Sequence, residues 1–148
     1  MGGTINIVLL VDVIAALSNR SLEESLHMMD DGPLPGENQG TPHLATYCWP
    51  GWQINWTIQQ VDLQTPAMIR SIRFKSFGSE GKTGTGWPAF GDAGHTMAWS
   101  GIVPFHLIPG YRYQYEIEVA MAHGINSVLS VETPSLVVPS ALKLLTSG

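Results

Sequence analysis

The sequence predicts an all-β fold: a two-layer antiparallel β-sandwich, immunoglobulin-like or jelly-roll-like, with at most one short helix. Three observations lead there. Trp52, Ile54, Trp56 and Ile58 alternate with Gln53, Asn55, Thr57 and Gln59, the period of two of a half-buried strand. After Pro109-Gly110, Tyr111, Tyr113, Tyr115, Ile117, Val119 and Met121 share one face while Arg112, Gln114, Glu116 and Glu118 share the other, a separation that a helix would scramble. The remaining apolar runs are short, rich in β-branched and aromatic residues, and bounded by Gly or Pro.

Taken in chain order, the first element is the run from Ile5 to Val13. It lacks the basic flank and cleavage site of a secretory signal, Asp12 interrupts it, and it falls short of the roughly 20 apolar residues of a spanning helix. It therefore reads as the first strand of a packed sheet. Ser21-Leu22-Glu23-Glu24 matches a capping box, and Leu22, Leu26 and Met29 recur at helical spacing before Gly32-Pro33, so the one short helix is expected there. Further strands are expected over residues 43–48, 68–77 and 96–103. The tyrosine strand turns at 122–126 into a partner over 127–132. Pro134 and Pro139 bracket 135–138 as a short edge segment. Two loops, 30–40 and 78–94, the second with six glycines and Pro88, are flexible by composition and are the natural places for a site. About seven short strands make one sandwich domain over 1–139, followed by a tail over 140–148. The tyrosine series after a Pro-Gly corner suits a late strand of an immunoglobulin-like sandwich, without the Cys, Trp, Cys pattern of antibody domains.

A chain of 148 residues can bury a sizeable core without disulfides. Only 13% of its residues are charged, about half the usual quarter, so part of its surface is expected to be hidden against a partner or copies of itself. The net charge of −5 with no basic run argues against nucleic acid, whose backbone demands clustered cations. Cys48 is the only cysteine, which forbids an internal disulfide and suits the cytoplasm. A myristoylation pattern fails at Asn6. The sequons at Asn19 and Asn55 lack the export signal that would give them meaning.

No motif dictates a reaction. Gly81-Lys82-Thr83 lies in a glycine-rich loop, but Ser76 stands where a phosphate-binding loop needs glycine, and Trp87-Pro88 follows where its helix should begin. The five histidines never fall at metal-ligand spacing, so no metal or cofactor is expected. His95, three residues after Asp92, and His106 are the candidates for a general acid or base; a loop histidine is as well explained by solvation. Cys48 between Tyr47 and Trp49 reads as a small buried apolar residue rather than a nucleophile. Of the five tryptophans, Trp52 and Trp56 belong to the core by their alternation. Trp49 and Trp87 lie in turn-like sequence, where a ring either caps the core or offers a flat face to a ligand. Trp87, Asp92, His95 and Trp99 are the candidate ligand-binding set.

The opening Ile-Asn-Ile-Val-Leu-Leu-Val-Asp-Val run resembles the AidA/PixA family of bacterial inclusion-body proteins. The similarity extends through Gln39-Gly40-Thr41-Pro42-His43-Leu44, Val61-Asp62-Leu63-Gln64-Thr65-Pro66 and Ser130-Val131-Glu132-Thr133-Pro134. These are framework segments, and the resemblance transfers no catalytic residues. It implies a small soluble bacterial protein, in some members expressed in a density-dependent manner and in some accumulating as intracellular inclusions. The six methionines set this chain apart from methionine-rich, inclusion-forming members. Three functions follow in order: a non-catalytic binding or self-assembling protein, a homodimer or larger oligomer; a carbohydrate- or lipid-binding module around Trp87 and His95; and a small-metabolite enzyme with a histidine base.

Overall fold

The computed structural model describes residues 3–61, 66–74, 98–105, 107–121 and 128–140. Strand β1 (Thr4–Val11) buries Ile5, Ile7, Leu9 and Val11 completely and turns the alternate residues outward. It ends at Asp12, the residue that interrupts the apolar run. The Asp12 carboxylate accepts from the Ala15 amide at 3.1 Å and caps helix α1 (Val13–Asn19), where it satisfies one of the amides that a helix start leaves without a partner. Arg20 closes the helix in the left-handed region at φ 54°.

The one helix among the described residues is therefore not at the expected place. The Ser21 hydroxyl accepts from the Glu23 amide at 3.0 Å, a two-residue turn rather than the cap-to-N3 bond of a helix start. Beyond it Leu26 and Met28 alternate into the core as strand β2 (Leu26–Asp30), antiparallel to β1. The period of two won over the spacing of Leu22, Leu26 and Met29 because β1 offers an open strand edge to pair with.

Seven more strands follow among the described residues: β3 (Ala45–Tyr47), β4 (Gln53–Gln60), β5 (Ala67–Phe74), β6 (Ala98–Ile102), β7 (Arg112–Met121), β8 (Val128–Val131) and β9 (Ser135–Val137). They form two sheets. The first has the order β2-β1-β4-β6. In the second, β3-β9-β7-β5, β8 also pairs with β7, end to end with β9 along the same side of it. The all-β two-layer architecture is as expected, but both sheets are mixed, because β1 runs parallel to β4 and β3 parallel to β9. Nor is the 135–138 segment an edge. Its prolines flank β9 rather than interrupt it, so β9 pairs with β3 on one side and β7 on the other. The expected hairpin turn at 122–126, the 78–94 loop and residues 141–148 of the tail lie outside the described residues.

The core fills the space between the sheets. Trp56 of β4 and Tyr115 of β7 are fully buried, and the indole Nε1 donates to the phenol oxygen at 3.1 Å. Their rings meet edge to face with centroids 5.6 Å apart, and Phe74 leans on Tyr115 at 4.9 Å. Each polar tip thus supplies the other's partner, which avoids the roughly 1–3 kcal/mol of an unsatisfied buried group. Burial pushes the Tyr115 hydroxyl well above its ordinary pKa.

The two outer faces differ. On the second sheet, Arg73 donates to Glu116 at 2.7 Å and to Glu118 at 3.4 Å, and Arg70 reaches Glu118 at 3.5 Å. On the first, the outward positions hold no Asp, Glu, Lys or Arg: Asn6, Asn55 and Ser100 align across three strands, and Met29, Val8, Thr57 and Ala98 across all four.

Candidate functional site

The expected flexible loop over 30–40 is fastened at many points. Asp30 accepts from the Gly32 amide at 3.1 Å and from the Thr46 hydroxyl at 3.0 Å, while its own amide donates to Gln39 Oε1. Glu37 and Ala45 exchange two backbone bonds of 3.0 Å. The Glu37 carboxylate takes the Tyr47 hydroxyl and the Arg112 guanidinium, each at 2.7 Å. A Cβ on Gly36 would lie 2.5 Å from both Asp30 Oδ2 and the Ala45 carbonyl, so only glycine lets the loop approach this closely. Asp31 accepts from the Asn6 amide at 2.7 Å and the Asn6 side chain at 2.9 Å, and these bonds hold its carboxyl below the ordinary range. The acid groups here join the sheet edges: β2 is tied to β3 through Asp30 and Thr46.

The histidines and the cysteine in the described part are likewise engaged. His27 Nδ1 lies 3.1 Å from the Gly40 carbonyl, and His43 Nε2 lies 3.3 Å from Glu23 Oε1. Cys48 is completely buried, and burial pushes its thiol up to about 12, far from the depressed value of a reactive thiolate. Among the described residues no group of three His, Cys, Asp or Glu could hold a metal ion. An open depression of about 280 Å³ beside the helix end is lined by Asn19, Ser21, Glu23 and Glu24.

Of the candidate site residues, Trp87, Asp92, His95 and His106 lie outside the described residues. Trp99 is 6% exposed, in β6 directly across from Trp56. Trp49 and Trp52 are half-buried against the core, their rings 4.9 Å apart and tilted by 42°.

The exposed aromatic surface is elsewhere, on the chain between β6 and β7. Gly51, at φ 86°, donates to the Val103 carbonyl at 2.9 Å, and the Val103 amide donates to Trp52 at 2.8 Å. This pair of bonds lays Phe105 over Gly51, where an added Cβ would lie 2.9 Å from the ring. Phe105 nevertheless stays 79% exposed, followed by Ile108 and Tyr111 at 51% and 59%. Tyr113 fixes the segment by accepting from the Ile108 amide at 2.7 Å. From Ile102 to Tyr111 there is no Asp, Glu, Lys or Arg. The sequence signal was available for Phe105 and Ile108, which lie in an apolar run around two prolines outside the alternating pattern, but not for Tyr111, which heads the alternating series and yet is exposed because β7 begins only at Arg112. What this segment can do chemically is bury apolar area against another surface.

A model of the family described as Domain of unknown function (DUF8788) matches residues 3–127, which is most of the chain. The protein belongs to the DUF8788 family. No curated protein matches this DUF8788 chain in sequence. Among solved structures, the inclusion body protein (PixA) from Burkholderia cenocepacia J2315 is similar with a TM-score of 0.66 at 12% identity, over 93% of this chain and 95% of that one. The AidA/PixA resemblance read from the opening run is thus matched by a shared fold. In the DUF8788 chain no helix among the described residues is long and apolar enough to cross a membrane.

Proposed function

We propose that this protein is a non-catalytic, soluble cytoplasmic protein that works by assembling with copies of itself. The observation that carries this reading is the Phe105 segment. Three large apolar side chains, Phe105, Ile108 and Tyr111, are more than half exposed beside the Gly51–Val103 and Ile108–Tyr113 hydrogen bonds, in a chain with only 13% charged residues. Apolar surface displayed on an ordered backbone marks a contact site. The similarity to the inclusion body protein PixA supports self-association, and expression that rises with cell density rests on the AidA/PixA resemblance alone.

Sedimentation velocity on the full chain over a wide concentration range tests the proposal. Species larger than a monomer, growing with concentration, are expected; a monomer throughout overturns it. A second reading, a sugar- or lipid-binding module, is favoured by the open face of the Phe105 ring, which suits an apolar sugar face or an acyl chain. A rise of several degrees in melting temperature with sugars or fatty acids, from a chain that sediments as a monomer, would replace the first reading by the second.

A further inference from the structure

We infer that the outer face of the β2-β1-β4-β6 sheet is where a second copy of this chain docks, in a two-fold contact. The inference rests on the self-assembly reading and names its surface. The chain carries a net charge of −5, so two copies repel unless they meet where charge is absent, and like charges brought together cost several kcal/mol. The outward positions of this sheet hold no Asp, Glu, Lys or Arg, with Asp31 at one corner bonded to Asn6. The opposite sheet presents the Arg70, Arg73, Glu116 and Glu118 ladder, which pairs within the chain.

The uncharged face also matches itself. A two-fold contact places one patch against its own copy, so that residue i meets residue j and j meets i, and each polar group must find its partner within the same patch. Asn6, Asn55, Thr57 and Ser100 meet that requirement, since amides and hydroxyls both donate and accept. Met29, Val8 and Ala98 interleave apolar area between them. Strands about 4.8 Å apart with about 3.3 Å per residue give roughly 400 Å² in projection, and so on the order of 1,000 Å² of accessible surface over two copies, about the least a specific interface buries. Val8 and Thr57 flank the midline of the four strands, so a two-fold axis through the centre of the face brings Thr57 of each copy near that of the other.

Sedimentation equilibrium of the full chain with Thr57→Glu and Thr57→Lys, separately and mixed in equal amounts, tests this. Each variant alone is expected to weaken association by at least about tenfold, because two like charges face each other. The mixture is expected to recover wild-type association, because Glu then faces Lys. Thermal midpoints near that of the wild type confirm folding; if either variant unfolds, Val8→Glu and Val8→Lys, on the other side of the midline, replace the pair. An associated wild type that neither variant disturbs, or loss without recovery in the mixture, overturns this face and leaves self-assembly standing. A wild type that is monomeric at every concentration overturns both.

Discussion

Tyr115 shows how much one hydrogen bond can carry in a dry core. Its hydroxyl has the Trp56 indole as donor across the two sheets, and Tyr115→Phe keeps the ring while leaving that N–H buried beside carbon. A loss of about 1–3 kcal/mol in urea unfolding is expected, and an unchanged midpoint would show that the indole finds another acceptor. Asp31 behaves differently because its bonds are at the surface. Its pKa lies below the ordinary 3.8 through the Asn6 bonds, so its contribution is complete above the unfolded value and is lost as pH falls through the folded one. Asn6→Ala is therefore expected to lower the urea midpoint by a constant amount near neutrality, with the gap to wild type closing below about pH 4. A gap independent of pH would assign the effect to the strand rather than to the carboxylate.

At the scale of elements, α1 depends on its cap. Asp12→Ala removes the acceptor of the Ala15 amide and is expected to cost about 1 kcal/mol, measured as a lowered thermal midpoint. Asp12 also shows where sequence reading fails. The apolar run to Val13 reads as one strand through Asp12, but the strand ends at Val11 and Val13 opens the helix, because the Asp12 side chain caps it; the capping-box pattern at Ser21 points to the wrong segment. The strands with alternation, β4 and β7, were legible because period two with polar partners has one interpretation. The parallel pairings were not, since nothing in β1 or β9 alone says which neighbour it takes. Of the candidate site residues only Trp99 lies among the described ones, buried in β6; the exposure of Phe105 was not legible, because it depends on the fit of its ring over Gly51, a contact between distant segments.

Over the whole molecule, the two candidate contacts have different consequences. A two-fold contact closes on itself and stops at a dimer, so anything larger needs a second, independent surface; in the proposed assembly that surface is the Phe105 segment. Phe105→Ser is accordingly expected to remove the larger species in sedimentation velocity and leave the dimer, whereas a charge at Thr57 removes the two-fold contact and leaves only the association made through Phe105. Loss of the dimer in Phe105→Ser would merge the two surfaces into one. The parallel pairing of β1 with β4 also bears on synthesis. β1 is made before the strands it pairs with but lies inside its sheet, and one of its two neighbours is Gln53–Gln60; β7 in turn waits for β9, as late as Val137. Neither sheet can close until most of the chain is made, and pairings this distant along the sequence place folding on the slow, millisecond-to-second side for small domains. During that interval the nascent chain exposes the apolar strands that later form its interior, and a chaperone has its longest opportunity to hold it.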